Sequence, residues 1–184
     1  FFLNSARLEL ELETARTELE LVAGTDALTS LYNRRRFNEQ AEIEFRRAQR
    51  YGVNLSIAML DADDLKLIND TYGHDSGDRV LIFISGILRS EVRPFDMVAR
   101  YGGDEFVILL VDTDKEEARL IAERIRRDVE EMPVVVNAFT LSIRLSVGVT
   151  AVEPQDTDLA MTLKRTDHAL YHAKQQGRNR VMVA

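Results

Sequence analysis

The chain has 184 residues, 45% apolar and 30% charged, enough for one domain with a buried core plus a short appendage. Twenty-four basic against 31 acidic residues leave a net charge of −7, which argues against the positive footprint that nucleic-acid binding needs. No cysteine and three histidines exclude disulfides and thiolate metal sites, argue against a histidine-rich zinc site, and suit a reducing, cytoplasmic setting.

No run of about 18 apolar residues marks a membrane span. The chain begins with Phe1 and reads as a piece of a longer protein, so membrane attachment is expected only through a preceding part. Residues 1–24 read as a long helix ending at Gly24. Phe1, Ser5, Leu8, Leu12, Ala15, Leu19 and Val22 form a heptad seam flanked by glutamates and Arg16. Such a helix is a coiled-coil signalling stalk, with a single amphipathic helix lying on its own domain as the alternative. Residues 25–184 then form the second unit, without internal repeats.

Asn33 to Gly52 is helical in pattern, and Asn54 to Leu60 is a buried strand that stops at Asp61. Gly77 to Arg93 carries apolar residues at helical spacing and is stopped by Pro94. A strand–Gly-Gly–strand hairpin spans Met97 to Leu110. The stretch "DKEEARLIAERIRRDVEE" is a helix with an acidic first turn, which complements the N-terminal dipole. Phe139 to Val152 is strand-like, Asp158 to Gly177 helical, and Arg180 to Ala184 a closing strand. Helices and strands mix and one strand pair is a hairpin, so an antiparallel or mixed sheet covered by helices is expected.

Acidic residues collect at strand ends. Asp61 and Asp63 end the first core strand, and Asp104 and Glu105 follow Gly102 and Gly103 in the hairpin. Were these strands neighbours, four carboxylates would share one rim and repel unless a cation compensated them. All-oxygen donors suit a hard ion, Mg²⁺ or Mn²⁺; solvated turns are the alternative. Between the two clusters, "DDLKLINDTYGHDSGD" reads as a short helix–loop–helix connection holding Lys66, Asn69, His74, Asp75 and Asp78. Asn and Asp side chains can read a base edge, and a lysine can meet a phosphate; His74 alone equally suits loop packing. Lys174 and Arg178, four apart, are expected on one helical face, either holding a polyphosphate or ending a solvated basic helix.

The segments "DALTSLYNRRRF", "DADDLKLINDTYGHDSGD", "RYGGDEF" and "ALYHAKQQGRN" resemble, in order and spacing, the successive signatures of GGDEF-domain diguanylate cyclases. The resemblance covers residue 25 to the C-terminus. It implies an α/β (α+β), nucleotidyl-cyclase or palm-like fold: a largely antiparallel five-stranded sheet wrapped by helices. It implies condensation of two GTP into cyclic di-GMP with release of two pyrophosphates, by a homodimer whose facing domains each hold one GTP. Position by position, Asp61, the Ala62 carbonyl, Asp104 and Glu105 resemble the ligands of two metal ions per site, Mg²⁺ or Mn²⁺. Asp104 also resembles the proton acceptor, although the metals contribute more to activating the hydroxyl. Lys66 resembles a phosphate contact that stabilises the transition state. Asn69 and Asp78 resemble guanine readers, with His74 and Leu65 near that pocket. Gly102 and Gly103 let backbone approach the nucleotide, and Lys174 and Arg178 resemble contacts to the phosphate tail.

Relatives that make mixed cyclic dinucleotides differ at the position of Asp78, so the resemblance implies GTP as the substrate. Upstream, Arg93 and Asp96 form an RxxD pattern with five residues between Asp96 and Gly102. As a bare pattern it is a surface ion pair; within the family it is the inhibitory site for product, with Arg124 as a further partner. Ser30, Tyr32 and Leu65 depart from the family's usual Gly, Pro and Phe. The first two are expected to alter only local loop geometry, and Leu65 to loosen packing near the guanine pocket. The competing readings are a catalytically silent cyclic di-GMP sensor and a dimerisation module.

Overall fold

In the computed structural model, residues 12–18 and 24–184 are described. Residues 12–18 are helical (α1), and the seam positions Phe1, Ser5, Leu8, Leu19 and Val22 lie outside the described residues. Helix α2 (Arg34–Tyr51) starts where the Asn33 side chain accepts from the Arg36 N–H and stops at Gly52, whose φ of 64° ends the helix in the left-handed region. Strand β1 (Tyr32–Asn33) precedes it, and β2 (Leu55–Ala62), fully buried, follows. Next come α3 (Leu65–Tyr72), α4 (His74–Glu91), β3 (Met97–Arg100) and β4 (Glu105–Val111). The chain continues through α5 (Lys115–Glu131), β5 (Val134–Val136), β6 (Phe139–Leu141) and β7 (Leu145–Ala151), and ends with α6 (Leu159–Gln175) and β8 (Val181–Val183).

The main sheet runs β1-β3-β4-β2-β7-β8. Its four inner strands are antiparallel, while β1 on β3 and β8 on β7 are parallel. The expected five strands are present, and the two-residue β1 adds a sixth at the edge. Alternation along the inner strands sends two sets of side chains to opposite faces. Ala58, Leu60, Phe106, Ile108, Val147 and Val149 pack with residues of α4 and α5. Ile57, Met59, Val107 and Leu109 pack with residues of α2 and α6. The result is three layers, helix–sheet–helix.

Asp61 has the parity of Ile57 and Met59, so it belongs to the α2/α6 face. Helix α6 can lie flat on β7 because Gly148 has no side chain: a Cβ there would stand 2.3 Å from the Leu170 nitrogen and 2.4 Å from the Thr166 carbonyl oxygen. This close contact sets the C-terminal turn of α6 above the end of β2.

Three local readings are corrected. The stretch Phe139 to Val152 is two strands in two sheets, since residues 142–144 leave the β5–β6 hairpin before β7 joins the main sheet. The connection between α3 and α4 is one residue, Gly73 (φ 90°), so His74 and Asp75 stand in the first turn of α4 rather than in a loop, and Asp78 follows on the same helix. Arg178 is not on a helical face with Lys174. Helix α6 ends at Gln175, and Gly177 (φ 112°), Arg178 (φ 61°) and Asn179 (φ 47°) form a left-handed turn.

Candidate active site

Strands β2 and β4 are neighbours, and their register places Asp61 opposite Glu105. Cross-strand partners on one face bring side chains within about 5 Å. Asp104 stands one residue earlier, and its carbonyl accepts from the Ala62 N–H at 3.1 Å. Phe106, fully buried, anchors the hairpin just behind them; its removal would cost about 3–5 kcal/mol.

Asp61 is buried, and burial pushes its carboxyl up to about 6. The Lys174 ammonium, 2.8 Å from Asp61 Oδ2, opposes that rise, while Asp104 and Glu105 add to it. Like charges are therefore gathered around one desolvated carboxylate with a single lysine as compensation. Among the described residues no three carboxylate or imidazole groups close into a metal cage. The donor chemistry nonetheless fits a hard cation: three oxygen-bearing side chains, one desolvated, with the Lys174 ammonium holding the place of positive charge.

Asp63, expected on the same rim, is turned away. Its Oδ1 accepts from the Ser146 hydroxyl at 2.7 Å and its Oδ2 from the Asn179 N–H at 3.0 Å. Strand β2 ends at Ala62, so the alternation that would carry Asp63 beside Asp61 does not continue.

Neither glycine of the hairpin turn has a positive φ, so neither is there for backbone freedom. A Cβ on Gly102 would meet Glu105 Oε2 at 2.8 Å, and one on Gly103 would enter open space. Room rather than turn geometry distinguishes them. Arg100 braces the turn from behind: its guanidinium donates to the Gly103 carbonyl at 2.7 Å and pairs with Asp26 at 3.2 Å.

Across α3 and α4, Lys66, His74 and Asp78 are exposed, while Leu65 is buried in the core formed with α4. Among the described residues the Asn69 Oδ1 atom is buried with no hydrogen-bond partner. Gly77, unremarked in the sequence, explains its position: a Cβ there would lie 1.9 Å from that oxygen. A buried acceptor without a donor costs about 1–3 kcal/mol, so Asn69 suits an incoming N–H. Arg178 stands beside Asp64, its Nε 3.8 Å from Oδ1.

Arg93 and Asp96 do not form the surface ion pair of the bare pattern. Asp96 Oδ2 accepts from the Arg93 backbone N–H and Oδ1 from the Val111 N–H, both at 3.0 Å. The Arg93 guanidinium pairs with Glu117 at 2.5 Å, and Arg124 is held by the side chain and carbonyl of Glu91. Arg93 and Asp96 line a cleft of about 490 Å³ together with Arg89, Ser30 and Tyr32. Ser30 and Tyr32 thus reach beyond local loop geometry, because the parallel pairing of Tyr32 with Ala99 lays the loop against β3.

Residues 23–180 match the family described as diguanylate cyclase, GGDEF domain. Diguanylate cyclase DgcP of Pseudomonas aeruginosa is 44% identical over 160 residues, 87% of this chain and 24% of its own length. A diguanylate cyclase of Vibrio cholerae is 40% identical over 168 residues, 91% of this chain and 52% of its own length. The crystal structure of the coiled coil and GGDEF domain of DgcB from Caulobacter crescentus, in complex with c-di-GMP, superposes with a TM-score of 0.84 at 31% identity. That superposition covers 98% of this chain and 97% of the other. The chain spans between a quarter and about half of the length of the two curated relatives.

Proposed function

The chain belongs to the GGDEF-domain diguanylate cyclase family, and we propose that it condenses two GTP into cyclic di-GMP with release of two pyrophosphates. The observation that carries this reading is the buried Asp61 beside Asp104 and Glu105, a cluster of carboxylates that Lys174 compensates only in part and that a divalent cation would complete. In each of two steps the 3′-hydroxyl of one GTP attacks the α-phosphate of the other. A P–O bond forms, the bond to the β-phosphate breaks, pyrophosphate leaves, and Asp104 takes the hydroxyl proton.

Asp61, Asp104, Glu105 and the Ala62 carbonyl would hold two Mg²⁺ or Mn²⁺ ions. Bound divalent ions would lower the hydroxyl pKa and neutralise charge on the α-phosphate. Lys174 then leaves Asp61 for the phosphate tail, where Arg178 joins it, and Lys66 meets phosphate as charge develops. Asn69 Oδ1 accepts from a guanine N–H and Asp78 takes the same base edge, with His74 beside it. Gly103 opens the approach.

Each domain supplies half of the site, so the active form is a homodimer. Residues 1–24 act as a coiled-coil stalk and residues 25–184 as the catalytic domain. The seam residue Leu12, 72% exposed, favours a partner helix. Among the described residues no helix is long and apolar enough to cross a membrane. The cleft beside Arg93 and Asp96 takes product and slows the enzyme. Incubation with GTP and Mg²⁺ tests the reading: cyclic di-GMP and pyrophosphate appear in a ratio of about one to two by the stoichiometry of the condensation. Tight product binding without synthesis would instead make the chain a sensor.

A further inference from the structure

Asp63 is 6% exposed, stands two residues from Asp61, and has no part in the chemistry above. Its two oxygens tie Ser146 of β7 to the backbone of Asn179. The Asn179 side chain reaches the opposite way, to α5. Its Oδ1 accepts from Arg126 Nη1 at 2.8 Å and its Nδ2 donates to Glu130 Oε1 at 2.7 Å. Arg126, itself largely covered, also pairs with Glu123 at 2.8 Å and Glu130 at 2.7 Å. Backbone N–H, side-chain carbonyl and side-chain amide of one residue are thus each engaged, by two different parts of the fold.

The residue so fixed has φ 47° and follows Arg178 at φ 61°. Two successive non-glycine residues in the left-handed region are strained, Arg178 more than the asparagine, and persist only where surroundings hold them. The turn is closed on its other side as well, since Arg178 N–H donates to the Ala173 carbonyl at 3.0 Å and the Arg180 carbonyl accepts from Val147 at 2.9 Å.

We propose that Asn179, with Asp63 and the Arg126–Glu130 pair, is a positioning residue for the triphosphate of GTP: the lattice fixes the left-handed turn that presents Arg178 at the rim. The proposal rests on the reading of Arg178 as a phosphate contact. Arg178 is itself exposed, and among the described residues its side chain pairs with Asp64 at 3.8 Å. A long, exposed arginine loses much rotamer freedom on binding an anion, and a rigid backbone beneath it lowers that cost. The lattice therefore acts on GTP affinity and leaves the rim carboxylates alone.

The test is steady-state pyrophosphate release by the full chain at varied GTP. Asn179→Gly removes both side-chain hydrogen bonds while tolerating the left-handed backbone. It is expected to raise KM for GTP about three- to tenfold with kcat within about twofold, the scale of one or two lost hydrogen bonds. Arg178→Ala should do at least as much, and the double variant should match Arg178→Ala alone. Glu130→Ala, which loosens the same amide from α5, should raise KM in the same direction. An unchanged KM in Asn179→Gly, a fall confined to kcat, or additive losses in the double variant would overturn the proposal. An unchanged KM in Arg178→Ala would overturn both the phosphate role of Arg178 and the positioning built on it. Equilibrium binding of a non-hydrolysable GTP analogue with Mg²⁺ reads the same losses without turnover. An inactive wild type would therefore sink the cyclase reading and still leave this one decidable.

Discussion

The acidic rim and the arginine cleft lie beside the same hairpin, yet their side chains are in different states. At the rim needs are met only in part: Asp61, held by Lys174 at 2.8 Å, is still pushed up to about 6, and among the described residues Asn69 Oδ1 has no partner. At the cleft they are met: Asp96 accepts two backbone N–H groups, Arg93 holds Glu117 and Arg124 holds Glu91. A ligand entering the rim meets the unpaired Asn69 acceptor but has the Lys174–Asp61 pair to part. One entering the cleft must first displace ion pairs between exposed groups, each worth about 0–1 kcal/mol. On the proposed function, the rim is the tighter site and the cleft the one that fills only once product has accumulated.

The strongest way to break that contrast is at the rim. Asp104→Ala should lower cyclic di-GMP synthesis at least about a hundredfold, since metal charge stabilisation is worth several kcal/mol. Synthesis that survived would refute the assignment of the rim. Gly77→Ala should come next, because its Cβ would meet Asn69 Oδ1 at 1.9 Å and force the acceptor aside. Overpacking of this kind costs about 1–3 kcal/mol, so KM for GTP should rise roughly tenfold. A KM within twofold of wild type would show that Asn69 is not aimed at the base.

At the cleft the expected sign is reversed. Glu117→Gln frees the Arg93 guanidinium from its 2.5 Å partner, so product should inhibit more tightly, by up to about fivefold. Calorimetric titration with cyclic di-GMP measures it. Weaker binding would mean that Glu117 orients Arg93 rather than competes for it.

Most of the rim was legible in the sequence because its parts are local. An apolar strand ending in Asp61 and a Gly-Gly turn before Asp104 and Glu105 locate strand ends without reference to the rest of the chain. What escaped depends on distant partners. Alternation puts Asp63 beside Asp61, and only Ser146 and Asn179, 83 and 116 residues away, turn it elsewhere. Arg178 was placed on the helix because four-residue spacing is blind to a left-handed glycine at position 177. Tyr32 and Ser30 reached the cleft through a parallel two-residue pairing that has no periodicity to read. The family resemblance supplied Arg93 and Asp96, but not that both are already engaged.

A pH titration sharpens the rim side. The Asp61 carboxyl is raised from 3.8 to about 6, so between those values the folded state holds its proton more tightly than the unfolded chain. Stability of metal-free protein should therefore fall as pH rises from about 4 through about 6, and stay at the lower level above that. Asp61→Asn removes this slope, and its melting temperature should gain on wild type between pH 4.5 and 7.5 in the presence of a chelator. Adding Mg²⁺ at the higher pH should raise the wild-type melting temperature and leave that of Asp61→Asn nearly unmoved. Parallel pH profiles for the two proteins would mean that Lys174 already neutralises the site.

The smallest expected effect separates the cleft's shape from its charges. Ser30 stands at φ 57° on the cleft wall, a conformation that glycine adopts without steric cost. Ser30→Gly relieves about 1–2 kcal/mol of left-handed strain and gives back about 0.4–1 kcal/mol through the freer unfolded chain. The net gain of about half a kcal/mol corresponds to a rise of about 1–2 °C in Tm for a domain of this size. Because Ser30 contributes wall rather than charge, product affinity should change less than in Glu117→Gln. A fall in Tm would mean that the serine side chain offsets the strain of its backbone. An affinity change larger than that of Glu117→Gln would move the determinant of product binding from the ion pairs to the wall.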